Sequence, residues 1–96
     1  MHHYKILQLT NDNRDLLFCP FVKSRVDINN YEVKYEGDVD YNIESEHDLN
    51  VVLERLYSKF NINRPEDFTG HSLSVSDVIE LDGVNYYVDS FGFEKF

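Results

Sequence analysis

His71, Ser72, Ser74, Ser76 and Asp77 fall on one short stretch and supply the residue types of a nucleophile–base–acid relay. Such a relay needs a base that reaches its nucleophile from a separate, well-placed element. Here the serines crowd on a single segment, and no Gly-x-Ser-x-Gly elbow is present. The spacing predicts turn and cap chemistry instead, with the hydroxyls and Asp77 satisfying backbone donors at the entrance to a hairpin. Cys19 with His71 would make a thiol–imidazole pair. Cys19 lies in the apolar run Leu16-Leu17-Phe18-Cys19-Pro20-Phe21, however, and there a lone cysteine reads as a small core residue.

Metal chemistry finds little support. His2, His3, His47 and His71 show no His-x-x-x-His spacing with a carboxylate. His2-His3 could hold a transition metal adventitiously, and His47 is expected to be exposed. Asp38 and Asp40 resemble the start of a calcium loop, but Tyr41 and Asn42 follow where that loop needs glycine. No glycine-rich phosphate loop exists, and no cofactor is predicted.

Charge is the stronger signal. Lys plus Arg number 9 against 18 Asp plus Glu, a formal net charge of −9. Phosphate repels such a surface, which disfavours direct nucleic-acid binding. The acids run in two blocks free of Lys and Arg. The first holds Glu36, Asp38, Asp40, Glu44, Glu46, Asp48 and Glu54; the second includes Glu66, Asp67, Glu80 and Asp82. Solubility alone would explain them. The sharper reading is an acidic face that competes for a basic, nucleic-acid-binding surface on a partner protein.

These residues need a frame. Tyr4–Thr10 alternates, with Tyr4, Ile6 and Gln8 on one side and Lys5, Leu7 and Leu9 on the other, as a strand does. Asn11-Asp12-Asn13 is a turn cluster. Leu16–Phe21 is either an edge strand or a buried loop, because Pro20 interrupts it. Lys23–Asn30 is irregular or a single helical turn. Tyr31–Glu36 alternates again, with Tyr31, Val33 and Tyr35 on one face, and Gly37-Asp38 is expected to end it. Leu49, Val52, Leu53, Leu56, Tyr57 and Phe60 make one apolar stripe at helical spacing. Ser45 with Asp48 resembles a capping box, and Asn61 and Pro65 favour termination. Pro65–Phe68 predicts one helical turn, with Phe68 as a core plug. Val75–Leu81 and Val84–Ser90 predict a hairpin closed by a type I′ turn at Asp82-Gly83. Phe91–Phe96 would add an edge strand after a kink at Gly92.

The elements sum to a single α+β domain over residues 1–96. A small antiparallel or mixed sheet of about four strands packs against one main amphipathic helix. Tyr86 and Tyr87 point to opposite faces, so one of them is expected at a surface, as a partner anchor, unless both faces are covered. Phe91, Phe93 and Phe96 would either close the core or form a terminal apolar patch.

The stretches NRPEDFTGHSLSVSDVI (63–79) and YYVDSFGF (86–93) resemble the YodL-like domain family. Tyr4-Lys5-Ile6-Leu7-Gln8-Leu9, Arg14-Asp15-Leu16-Leu17-Phe18 and Asn30-Tyr31-Glu32-Val33-Lys34-Tyr35-Glu36-Gly37 are similar to its opening and middle. The resemblance implies kinship with small domains of bacterial conjugative elements, plasmids and phages, and no established catalytic role.

Two functions compete on this reading. One is a non-catalytic inhibitor of a host defence nuclease, of the CRISPR or restriction type, acting by nucleic-acid mimicry. Its candidate contacts are the acids of both blocks together with Tyr86 and Tyr87. The other is a general interaction module in conjugation or replication, or one that binds a host structural protein. An enzyme is not expected. One cysteine, the absence of a signal peptide and the lack of a run of about 20 apolar residues predict a soluble cytoplasmic protein with no membrane partner. A free sheet edge would allow a homodimer by strand pairing.

Overall fold

The alternation of Tyr4–Leu9 and the helical stripe of Leu49–Phe60 meet across one core. The computed structural model describes residues 1–90 and 92–96. The strands are β1 (His2–Leu9), β2 (Tyr31–Val39), β3 (Val78–Leu81), β4 (Val84–Asp89) and β5 (Gly92–Lys95), with the helix α1 (Glu46–Ile62) between β2 and β3. Two 3₁₀ segments, Asn11–Leu16 and Ile28–Asn30, punctuate the connection from β1 to β2. All five strands join one antiparallel sheet in the order β2-β1-β3-β4-β5.

Helix α1 starts where its cap predicts. The Ser45 hydroxyl accepts from the Asp48 amide at 3.2 Å, and Asp48 in turn accepts from the Glu44 amide at 3.1 Å. The carboxylate thus reaches one residue further back than in the usual box. Val52, Leu53, Leu56 and Phe60 are buried against Tyr4, Ile6, Ile79, Leu81, Tyr86 and Val88. Each such side chain contributes roughly 1.5–3 kcal/mol by leaving water. Leu49 and Tyr57 flank them, half-buried.

Strand β2 departs from the expectation twice. Gly37-Asp38 does not end it; the strand runs to Val39. Gly37 is needed inside it because the Tyr4 ring lies over it, and a Cβ there would come within 2.9 Å of the Tyr4 hydroxyl. Tyr31, Val33 and Tyr35 do not share a face either. The register slips between Ile6 and Leu7, so that Ile6 faces Tyr35 and Leu7 faces Val33, with Lys34 as the extra residue. The bulge inverts the alternation. Tyr35 packs on the helix side of the sheet and Tyr31 on the other.

The second face is covered in part by the irregular chain between β1 and β2, with Tyr31 and Phe96 from the strand ends. Leu7, Val78 and Tyr87 are buried there under Phe21, Val26, Tyr31 and Phe96. Leu16–Phe21 is therefore a covering loop and not an edge strand. This cover corrects the expectation for the adjacent tyrosines. Tyr86 is 9 % exposed under the helix and Tyr87 3 % exposed under the loop, so neither is presented at a surface. Tyr87 also donates its hydroxyl proton to the Cys19 carbonyl at 2.5 Å.

The later elements follow the expected order. Pro65–Phe68 closes one turn through the Phe68 amide and the Pro65 carbonyl at 3.1 Å, and half-buried Phe68 packs edge-on against Phe60. Strand β3 begins at Val78 and not at Val75, because Ser76 holds a φ of 89° that no strand can contain. Asp82 and Gly83 have φ of 51° and 83°, the two positive values of a type I′ turn. Gly92 has a φ of 124° and starts β5. Phe93 packs on the helix-side core and Phe96 on the loop-side cluster. Phe91, the remaining aromatic of the expected terminal patch, lies outside the described residues.

Candidate functional site

The sheet register gathers carboxylates from both acidic blocks onto one corner. Lys5 lies between Glu36 on β2 and Glu80 on β3, and His3 lies opposite Asp38. Cross-strand neighbours share a face, and this is the face that the covering loop packs on at Leu7 and Val78. Asp82 joins them from the β3–β4 turn, where its carboxylate accepts from the His3 amide at 3.1 Å and from the His2 ring. The corner therefore holds Glu36, Asp38, Glu80 and Asp82, interleaved with His2, His3 and Lys5.

His3 is clamped. Its Nδ1 is 2.9 Å from Asp38 and its Nε2 2.5 Å from Glu36. The hydrogen bonds to Asp38 and then Glu36 favour the charged ring and raise its pKa above the ordinary 6.5. Burial pushes the Asp82 carboxyl upward, but the bonds from His2 and the His3 amide outweigh it and hold the carboxyl below its usual value. The two nitrogens of His3 point to different carboxylates on opposite sides of the ring. Among the described residues no three His, Cys, Asp or Glu side chains converge to hold a metal ion.

The remaining acids disperse. Asp40 and Glu44 lie exposed in the connection to α1, with Glu46 exposed at the start of the helix. Asp48 is taken up by the helix cap. Glu54 stands on the outer face of α1, and Glu66 and Asp67 are exposed on the turn after it.

The stretch His71–Asp77 folds into a second polar node, buried at Ser76 and Asp77 and exposed at His71 and Ser72. Asp77 and Ser76 have no exposure and Gln8 has 1 %. Asp77 Oδ2 accepts from the Ser74 amide at 2.9 Å and from Gln8 Nε2 at 3.2 Å. The Asp77 amide closes the turn onto the Ser74 carbonyl at 3.1 Å. Ser76 is tied on three sides: its amide to the Val88 carbonyl at 2.9 Å, its hydroxyl to the Phe18 amide at 3.1 Å, and its carbonyl to the Tyr31 hydroxyl at 2.6 Å. These bonds hold its positive φ against a strain of about 1–3 kcal/mol. This is the predicted turn and cap chemistry.

No serine hydroxyl of the stretch is hydrogen-bonded to His71. The ring Nδ1 lies 2.8 Å from the Ser72 carbonyl, to which it must donate, and 3.9 Å from Asp77 Oδ2. Burial pushes the Asp77 carboxyl up to about 6, against the Ser74 amide, His71 and Gln8, which favour the charged form. Gln8 Oε1, Ser74 Oγ and Asp77 Oδ1 are buried with no hydrogen-bond partner among the described residues. Gly70 leaves room for Gln8, since a Cβ there would fall 2.1 Å from Gln8 Oε1.

Gln8 is the member that the motif stretch itself could not reveal. Its signal was a polar side chain at a core position of an alternating strand. Cys19, expected in the core, is only half-buried beside a cavity of about 10 Å³, room for a single water. His47 is exposed on the first turn of α1, as expected. Among the described residues, no helix is long and apolar enough to cross a membrane.

No curated protein and no solved structure matches the chain. The model of the YodL-like domain matches residues 3–96, a span that takes in both the acidic corner and the buried node. The chain belongs to the YodL-like domain family.

Proposed function

We propose that this domain is a non-catalytic interaction module that offers its acidic corner to a basic surface on a partner protein. The observation that carries the reading is the assembly of Glu36, Asp38 and Glu80 on the face of the sheet away from the helix, with Asp82 beside them in the β3–β4 turn. Carboxylates spaced along adjacent strands attract Lys and Arg, speed the encounter and orient it. A surface evolved to hold phosphates meets the same description. The partner class that fits best is therefore a nucleic-acid-binding protein, and a host defence nuclease of the CRISPR or restriction type is the specific case we put forward. The domain would then act as an inhibitor carried by a phage, plasmid or conjugative element.

The buried node supports a structural role in place of catalysis. Its carboxylate is sealed from solvent, the Ser76 hydroxyl is taken up by the Phe18 amide, and the Ser74 hydroxyl is enclosed. A second reading keeps the same corner but assigns it to a partner in conjugation or replication, or to a host structural protein.

The test is capture of candidate nucleases by the purified domain at low and high salt, with a variant carrying Glu36→Lys and Glu80→Lys. Salt-sensitive capture that nucleic acid displaces and the variant loses is the expected result. Capture indifferent to both salt and variant would remove the acidic corner from the account. Capture of a conjugation or cytoskeletal protein in place of any nuclease would favour the second reading.

A further inference from the structure

A separate surface has the opposite character. Only four basic residues follow Lys34, and two of them, Arg55 and Lys59, stand one helical turn apart on the outer side of α1. They line an open groove of about 750 Å³ with Tyr41, Val51, Glu54 and Ile62. Neither cation forms an ion pair with a carboxylate among the described residues, although acids outnumber bases two to one in the chain. The Arg55 guanidinium lies over the Tyr41 ring, 5.2 Å from its centroid. The ring face attracts the cation, and no guanidinium N–H of Arg55 is hydrogen-bonded among the described residues. Ile62 is 85 % exposed and Tyr41 38 %, so apolar surface accompanies the charge.

We propose that this groove is a docking site for a short acidic segment of a partner protein, one that carries an apolar side chain beside its carboxylates. A carboxylate pairs with the planar fork of Arg55 through two parallel hydrogen bonds, and Lys59 takes a second as a point charge. Side chains four apart on a helix are about 5–6 Å apart at Cβ. Alternate residues of an extended peptide are about 6.6 Å apart, so an acid-x-acid pattern spans the two cations. The apolar residue of the segment then covers Ile62, one turn beyond Lys59. Glu54 on the rim disfavours a segment acidic throughout and sets the apolar position. The net charge of −9 opposes the approach of any anion, because the whole-molecule field repels anions and draws cations. Capture of an acidic peptide by this protein therefore requires local recognition.

The experiment is selection from a displayed library of random decapeptides on the whole chain. Enriched peptides are then measured by fluorescence anisotropy against the wild type, Arg55→Glu with Lys59→Glu, and Glu36→Lys with Glu80→Lys. Arg55 and Lys59 are exposed, so their variant should fold, and thermal melting checks this. Enrichment of acidic-apolar sequences is expected, with affinity falling by about tenfold or more in the Arg55–Lys59 variant, as loss of charge-assisted contacts predicts, and holding in the other. Enrichment of basic sequences, no enrichment, or equal binding by the Arg55–Lys59 variant would overturn the proposal.

Discussion

The two faces of this sheet are closed by opposite means. The helix face is packed by α1, whose apolar stripe buries Tyr4, Ile6, Ile79 and Val88. The other face is covered in part by a chain that is mostly irregular, and beyond that cover it carries the acidic corner. A regular element buries a continuous area because its side chains repeat at fixed spacing. An irregular cover relies on single plugs and backbone hydrogen bonds, such as Phe21 and the link from the Tyr87 hydroxyl to Cys19. The comparison suggests a division of labour: the helix face supplies stability, and the loop face leaves surface free for binding.

That division can be broken by paired truncations. Phe60→Ala removes a side chain with no exposure and should lower unfolding free energy by about 3–5 kcal/mol in urea titration. Phe21→Ala, half-buried on the loop side, should cost only about 1–2 kcal/mol. Equal losses would refute the asymmetry.

Asp77 sharpens the contrast between buried and exposed titration. Its folded pKa of about 6 lies above the ordinary 3.8. Protonation therefore favours the folded state: the contribution is fully present below about pH 4 and is lost as pH rises through about 6. With 1.36 kcal/mol for each pKa unit, that swing is on the order of 2–3 kcal/mol. Asp77→Asn should flatten stability between pH 4 and 6. A variant that keeps the full slope would assign it to another group.

Gly70→Ala tests how tightly the node is packed. Its Cβ must displace Gln8 Oε1, at an expected cost of about 1–3 kcal/mol in thermal melting. An unchanged melting temperature would mean that the Gln8 amide moves freely.

The smallest effect belongs to the exposed His3 clamp. Its raised pKa stabilises the fold below about 6.5, and the gain fades as pH rises through the raised value. His3→Gln should remove a slight pH dependence near neutrality while leaving stability at alkaline pH unchanged. An NMR titration of the wild-type ring, read as a midpoint at or below the ordinary histidine value, would contradict the clamp.

Much of this architecture was legible beforehand. The stripe from Leu49 to Phe60, the Ser45 cap and the Asp82-Gly83 turn depend on neighbours within a few residues, and such neighbours state their geometry through spacing and backbone sterics. The turn role of His71–Asp77 was legible for the same reason. The site was less so. The acids of residues 36–54 looked like one cluster, yet β2 carries Glu36 and Asp38 to the sheet corner while Asp48 goes to the helix cap.

By itself, then, the sequence determined the helix, the hairpin, the alternation of β1 and the excess of negative charge. Tertiary structure alone decided that Lys34 forms a bulge, that Gly37 must yield to the Tyr4 ring, and that both Tyr86 and Tyr87 are covered. It also decided that Gln8 meets Asp77 across 69 residues and that Glu36 stands across Lys5 from Glu80. Local periodicity says which way a side chain points within its own element. Only strand register and the packing of distant segments decide what it points at.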